Sequence, residues 1–375
     1  MSSEMRFRKD KTFKIMQITD IQEIPSVSKD TLALMEAALD QEKPDLVIYT
    51  GDQISGNSAK FKGAEGKATL AATIQKIFEP VISREIPFAV TFGNHDCQCG
   101  ISNREQYDDI YSKLPGIIGD QPLELDARGN CRIPVLASDG SEDEKFSIYL
   151  FDSGTDAATG GYEAIDPAIL QWYETKRNEH WKKHGSYTPS MVFQHIPLRE
   201  YYEVLKQVPK NTKGAVRAYR THKNEYYVLG DSCGSDDRFL EPASVPDVNT
   251  GEFESLSQYG DVLAVFVGHD HKNNFVGRYQ NIDLGFTPSA GFNVYGDRLH
   301  RGVRCIVLHE DKPKAYETYV RTYEELVGTH VTRPIFDYLT SVAPATLEDA
   351  IAMLVKLLGI IFVVVLIVIL LCYLI

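Results

Sequence analysis

The sequence predicts an α/β fold, on two observations: six short apolar runs that stop abruptly at polar residues, and stretches of helical spacing between them. The runs are FKIMQITD ending at Asp20, DLVIYTGD at Asp52, PFAVTFGNHD at Asp96, FSIYLFDSG at Gly154, MVFQHIP at Pro197 and VLAVFVGHDH at His271. Runs this short and this rich in Val, Ile and Phe read as buried strands, because β-branched and aromatic side chains suit a pleated surface covered on both faces.

Between the first two strands, Ser28 or Asp30 can cap a helix in which Leu32, Met35 and Leu39 recur at helical spacing, with Pro44 to stop it. A second helix fits between Asp52 and Pro87, where Leu70, Ile74, Ile77, Phe78 and Val81 line one face and Pro80 would kink the chain. A third begins at Asp166, with Pro167 at its first helical position and Leu170 and Tyr173 following. The stretch 207–259, rich in Gly, Asp and Ser, reads as an insertion over the site and as a candidate for substrate selection. The expected organisation is an N-terminal segment (1–12), one domain (13–335), a neck (336–350) and a C-terminal helix (351–375).

Composition narrows the function classes. With 375 residues, 43% of them apolar, the chain can bury a sizeable core. A formal net charge of −13 excludes a surface built to neutralise phosphate backbones, so no nucleic-acid partner is expected. Six cysteines without regular spacing constrain the redox compartment weakly. Cys97 and Cys99 are half of a zinc site at most, and packing is the simpler reading. Tyr201, Tyr202, Tyr226 and Tyr227 could line a pocket for an organic leaving group or simply pack. The N-terminus shows no apolar stretch of signal-peptide length before Asp20.

Residues 357–375, LLGIIFVVVLIVILLCYLI, carry no charge, and about 20 apolar residues are needed to cross ~30 Å of hydrocarbon. The alternative is a buried core helix, which would normally be shorter or show a polar face. The sequence therefore predicts a single-pass C-terminal membrane anchor, with the large domain on the cytoplasmic side and Lys356 just before the span.

Polar clusters at strand ends converge in α/β folds. Any one Asp or His in such a place is more simply a helix cap or a satisfied core residue. Here Asp20, Gly51-Asp52, Gly93-Asn94-His95-Asp96, Gln194-His195 and Gly268-His269-Asp270-His271 fall at the ends of five different predicted strands. Imidazoles, carboxylates and an Asn oxygen form a mixed N/O donor set suited to Zn, Mn or Fe rather than Ca. Two such ions could share one carboxylate and activate a hydroxide for in-line attack on phosphorus. Gly51, Gly93 and Gly268 would let the backbone turn sharply before each ligand.

The order D, GD, GNHD, H, GHDH resembles that of the calcineurin-like metallophosphoesterases over roughly residues 13–310. FKIMQITD, EKPDLVIYTGDQI, IPFAVTFGNHD, LFDSG, QHIPL and VFVGHDHKNNFVG resemble the branch that includes purple acid phosphatase 29 and its fungal phosphatase relatives. The resemblance implies a metallophosphatase-type β-sandwich flanked by helices and hydrolysis of phosphate mono- or diesters at two transition-metal ions. It implies that Asp52 bridges the ions, that Asn94, His195 and His269 hold one, and that Asp20 and His271 hold the other. His95 would serve the leaving group, Asp96 would orient the His95 imidazole, and Asp152 could support the site from behind or shape a turn.

Two departures stand out. The family's D-x-H appears as Asp20-Ile21-Gln22, so Gln22 is a further candidate ligand, and a weaker one than imidazole. Purple phosphatases place Tyr three residues after the bridging Asp, where this chain has Ser55. The rival reading is a membrane-tethered binding module that keeps the fold without a competent metal pair.

Overall fold

The computed structural model describes residues 4–342, together with 351, 354, 355, 358–363, 365 and 367. Among the described residues, fifteen strands fall into three sheets. In chain order they are β1 (Met5–Arg6), β2 (Thr12–Ile18), β3 (Leu46–Thr50), β4 (Phe88–Thr91), β5 (Cys131–Leu136), β6 (Glu144–Leu150), β7 (Ser190–Phe193), β8 (Leu205–Gln207), β9 (Val216–Arg217), β10 (Tyr226–Leu229), β11 (Val262–Val267), β12 (Phe275–Tyr279), β13 (Ile282–Phe286), β14 (Gly302–His309) and β15 (Tyr316–Thr322). One sheet has seven strands in the order β1-β5-β6-β7-β11-β13-β12, a second has five in the order β15-β14-β2-β3-β4, and β8-β10-β9 form a third. All six strands read from the sequence are present.

Each large sheet has a parallel block: β2-β3-β4, from the middle to one edge of the five-stranded sheet, and β6-β7-β11-β13 within the seven-stranded one. Parallel strands need crossovers, and the helices supply them. Helix α1 (Lys29–Glu42) joins β2 to β3, α2 (Gly66–Ile82) joins β3 to β4, and α4 (Pro167–His184) joins β6 to β7. Ser28 caps α1, accepting the Asp30 N–H. Asp30 has a different task, holding the Thr332 N–H and hydroxyl. Lys43 ends α1 in the left-handed region one residue before Pro44, and Pro80 falls in the last turn of α2. Asp166 caps α4 by accepting the Ala168 N–H, as its place before Pro167 suggests.

The layers follow from which side chains meet. Ile15, Leu46, Ile48 and Ala89 of the five-stranded sheet pack against Ile148, Leu150, Met191, Phe193 and Phe266 of the seven-stranded sheet, forming the inside of a sandwich. The outer face of the first sheet, with Met16, Ile18, Val47 and Tyr49, is covered by Leu34, Met35, Ile74 and Phe78 of α1 and α2. The outer face of the second, with Tyr149, Val192 and Val265, is covered by Ile169, Trp172 and Tyr173 of α4. The β-sandwich flanked by helices is the fold observed.

Some boundaries move. Residues 1–12, read as a separate segment, supply β1, which pairs with β5. The stretch 207–259 carries β9, β10 and helix α5 (Glu252–Ser257); other short helices, α3 (Asn103–Asp109), α6 (Tyr323–Leu326) and α7 (Pro334–Ser341), lie elsewhere in the chain. Helix α7 enters the predicted neck. No helix among the described residues is long and apolar enough to cross a membrane, and the predicted span 351–375 lies largely outside those residues.

One buried cation ties the sheets together. Arg304 of β14 donates to the Phe286 carbonyl of β13 (2.7 Å), to Asn274 Oδ1 (2.9 Å), to Thr287 Oγ1 (3.1 Å) and to Thr318 Oγ1 (3.1 Å). Arg304→Met keeps much of the volume but strands these acceptors, and a buried bond to a charged group contributes about 1.5–3 kcal/mol. Urea unfolding of the variant should show a loss of about 2–4 kcal/mol.

Candidate metal centre

The carboxyl ends of strands from both large sheets open onto one volume, and Asp52 lies at its middle. Its Oδ1 accepts the His95 N–H (2.8 Å), while its Oδ2 accepts Gln22 Nε2 (2.7 Å) and faces His195 Nε2 at 3.4 Å. Asp20 Oδ2 accepts the Thr19 hydroxyl and the His269 N–H, which leaves Oδ1 3.3 Å from His271 Nε2. His269 Nδ1 lies 3.2 Å from His195 Nε2. Asp20, Asp52 and His195 alone offer three donor atoms within 4.8 Å of one another, a group that could hold a metal ion.

The imidazoles are oriented by backbone carbonyls. His195 Nδ1 donates to the Thr50 carbonyl (2.9 Å) and His271 Nδ1 to the Tyr295 carbonyl (2.8 Å), so the two Nε2 atoms face the carboxylates. Ligand histidines are typically fixed in this way. The His271 ring also stacks on Tyr295, with centroids 4.1 Å apart.

Charge balance shows what the cluster lacks. Asp20, Asp52, His195, His269 and His271 are all buried, and among the described residues neither carboxylate is bonded to a Lys or Arg. Burial alone would keep His195 neutral, but the Asp52 and Asp20 carboxylates push its pKa up to about 10. Burial, with the His195 charge beside it, drives His269 down to about 3. Burial also works against an ionised Asp52, yet His195 and His95 hold its pKa well below the carboxylate range. Protons on imidazoles are standing in for positive charge.

Three buried polar atoms lack a hydrogen-bond partner, Asp20 Oδ1, Asn94 Oδ1 and His269 Nε2, the first of them facing His271 Nε2 at 3.3 Å. Buried polar atoms normally find a partner; others elsewhere in the chain, Tyr49 Oη and Trp172 Nε1 among them, also lack one, and what sets these three apart is that they belong to the residues of this one centre. Cations bound by this N/O donor set would satisfy all three. The backbone is bent to present the donors as well: Asp20, Gln22, Asp52 and His269 all have positive φ, between 40° and 74°. For residues with a Cβ such a conformation costs of order 1 kcal/mol each. The structure thus brings Asp20, Asp52, His195, His269 and His271 together, with Gln22 among them and Asn94 on the loop whose Gly93 and His95 touch Asp52.

Several expectations change. Only Gly51 has the positive φ (91°) expected of a sharp turn. Gly93 and Gly268 are required by close approach: a Cβ on Gly93 would lie 2.2 Å from Asp52 Oδ1, and one on Gly268 would lie 2.5 Å from Asp20 Oδ2. Gln22 turns its amide nitrogen towards Asp52 Oδ2, and its nitrogen lies 3.3 Å from His271 Nε2. It therefore bridges the two halves of the cluster as a donor, and Ser55, in the place of the purple-phosphatase tyrosine, anchors its backbone carbonyl (2.8 Å).

Asp96 does not orient the His95 ring. Its carboxylate accepts the N–H groups of Asp52 (2.8 Å), Gln53 (2.9 Å), Ile54 (3.3 Å) and Gly93 (2.8 Å), sewing the β3 and β4 loops together. Burial and the Asp52 charge push its pKa up, against those four donors. The His95 ring is held instead by Gln98, whose Oε1 accepts from Nδ1 at 2.8 Å. Asp152 supports its own turn, accepting the Gly154 N–H (3.2 Å), and has no bond to the cluster; burial pushes its pKa up to about 7.

Cys97 and Cys99 point at the carbonyls of Asn94 and Asp96, and burial keeps both thiols protonated. Tyr201 and Tyr202 pack, their hydroxyls donating to the carbonyls of Val265 and Ala243. Besides Tyr295, Tyr162 reaches the site: it meets the His269 ring edge-on at 4.2 Å and stacks on Tyr219 from the 207–259 stretch. Tyr162 also lines a cleft of about 550 Å³ with Asp152, Thr155, Glu163, Ile165 and Val248; the carboxylates and imidazoles of the cluster do not line it. Nothing in local sequence marks Tyr162, because it acts across a loop contact.

Residues 13–273 match the family model of the calcineurin-like phosphoesterases, and the chain belongs to that family. Similar proteins include "Probable inactive purple acid phosphatase 29" of Arabidopsis thaliana, 26% identical over 88% of this chain and 86% of that protein. "Phosphatase DCR2" of Saccharomyces cerevisiae is 28% identical over 76% of this chain and 47% of that protein. Among solved structures, a dimetal phosphatase from Danio rerio aligns with 83% of this chain and 99% of its own at a TM-score of 0.48 and 13% identity.

The Gly93 contact gives a direct check. Gly93→Ala should weaken Mn²⁺ binding by about tenfold or more in calorimetry, because Asp52 must move; a change of about 1.4 kcal/mol is tenfold. Gly234→Ala, where a Cβ finds only ordinary contacts at 3.5 Å, should leave Mn²⁺ binding unchanged.

Proposed function

We propose that the chain hydrolyses phosphate esters at a site loaded with two transition-metal ions, of the Mn, Fe or Zn type. The observation that carries this reading is the buried cluster of Asp20, Asp52, His195, His269 and His271, in which Asp20 Oδ1 and His269 Nε2 have no hydrogen-bond partner, as has Asn94 Oδ1 on the loop whose His95 N–H bonds Asp52. Asn94, His195 and His269 would hold one ion, Asp20 and His271 the other, with Asp52 shared between them and Gln22 adjoining the second. Such ions supply Lewis acidity at the phosphoryl oxygens and lower the pKa of water at neutral pH.

The chain's own residues do the rest. Asp96 fixes the loops that carry Asp52 and Asn94, the carbonyls of Thr50 and Tyr295 fix two imidazoles, and half-buried His95 is available to serve the leaving group. Tyr162 stands between the centre and the cleft, where an organic leaving group could extend.

The second reading, a binding module without turnover, is favoured by Gln22 in the place of a ligand imidazole and by the printed name of the Arabidopsis relative. Hydrolysis of p-nitrophenyl phosphate and its bis ester in the presence of Mn²⁺, Zn²⁺ or Fe²⁺ separates the two. Activity is expected, and Asp52→Asn should lower kcat/KM by about 10³-fold or more, on the scale of losing a group that stabilises the transition state. Absence of turnover with every ion would favour the binding module.

We further propose that residues 351–375 anchor the protein in a membrane with the catalytic domain on the cytoplasmic side. The described residues of that stretch are helical and exposed, Phe362 by 68% and Val355 by 63%. Helix α7, just before it, buries its acid Asp337 against Arg301 while Ile335, Tyr338 and Leu339 face outward. Full-length protein should co-sediment with phosphatidylcholine vesicles and resist extraction by carbonate. A protein recovered wholly in the supernatant would contradict the anchor.

A further inference from the structure

We propose that Asp156 is a positioning residue that sets Asn94 and His95 together; this rests on the phosphoesterase reading. Asp156 comes from the loop after β6, where a backbone bridge to Tyr162 closes a turn through Ala157 and Gly161. Both of its carboxylate oxygens are committed to residues of the loop that follows β4. Oδ1 accepts Asn94 Nδ2 at 3.1 Å, and Oδ2 accepts Gln98 Nε2 at 2.8 Å. Gln98 Oε1 in turn accepts from His95 Nδ1 at 2.8 Å.

Each bond settles an orientation that the side chain could not settle alone. A primary amide has a donor end and an acceptor end, and a carboxylate takes only the donor. Asp156 therefore holds the Asn94 nitrogen, and Asn94 Oδ1, buried without a partner, is the atom left for a metal ion. The same logic runs through Gln98: with Nε2 on Asp156, Oε1 must face His95, so Nδ1 carries the proton and Nε2 is the ring atom free to exchange a proton with a leaving group. The neutral amide orients the imidazole without placing a full negative charge against it. One carboxylate thus couples a ligand of the centre to the group that serves the leaving oxygen.

Asp156 is itself exposed, at the rim of the site. Surface substitutions of this kind usually change stability by no more than about 0.5 kcal/mol, so the variants should fold. The test uses the full chain with Mn²⁺ as the probe and two esters of unequal leaving group, phenyl phosphate and p-nitrophenyl phosphate. Asp156→Ala should weaken Mn²⁺ binding about tenfold in calorimetry, and Gln98→Ala should not.

Both variants should lose about tenfold more kcat on phenyl phosphate, whose departing oxygen needs a proton, than on p-nitrophenyl phosphate. In a His95→Ala background, Gln98→Ala should have no further effect on that ratio. An Asp156→Ala protein with unchanged Mn²⁺ affinity overturns the Asn94 arm. An unchanged ratio between the esters overturns the His95 arm. If the unaltered protein hydrolyses neither ester, the phosphoesterase reading and the His95 arm fall together, while the Mn²⁺ isotherms still decide the Asn94 arm.

Discussion

Two carboxylates, Asp20 and Asp52, are fully buried and, among the described residues, bonded to no lysine or arginine, and the rest of the site is organised around that unbalanced charge. An isolated buried carboxylate is costly enough that it normally shifts its pKa or finds a partner. Here the partners are imidazoles, and their proton affinities separate sharply: His195 is pushed up to about 10 and His269 down to about 3. Neighbouring rings in one cavity cannot all be cations. A metal ion relieves the conflict more completely than protons do, since it satisfies the carboxylates and leaves each imidazole neutral.

The scaffold pays for this arrangement in backbone conformation. Asp20, Gln22, Asp52 and His269 hold positive φ values that L residues avoid, and Gly93 and Gly268 leave no room for a Cβ beside the two carboxylates. Such strain persists because the surroundings fix it. Asp96 binds four N–H groups from two loops, and the parallel strands of two sheets aim their carboxyl ends at the same point. The sandwich matters to function for that convergence: β2, β3 and β4 deliver Asp20, Asp52 and Asn94, while β7 and β11 deliver His195, His269 and His271.

Much of this was legible in the sequence, because strand ends are short-range features. An apolar run that stops at Asp, Asn or His reports both the strand and the residue it presents, and the six runs became six strands. The helix starts at Ser28 and Asp166 were legible for the same reason. What was not legible depends on contacts between loops distant in sequence. Asp96 follows His95, yet its carboxylate turns back to β3, and the residue that reaches His95 is Gln98, backed by Asp156 from another loop. Residues 1–12 and the stretch 207–259 lack long apolar runs, so their short strands, β1 completed by β5 and β9 and β10 paired with each other and with β8, left little trace in periodicity.

The central claim is that the cluster is built for two metal ions. Elemental analysis of the full-length protein, loaded with Mn²⁺, Zn²⁺ or Fe²⁺ and freed of excess ion, tests it most directly. The account predicts two ions per chain. One ion or none would contradict it, and would mean that Gln22, bonded to Asp52 and close to His271, fills by hydrogen bonding the place in which a second cation was expected.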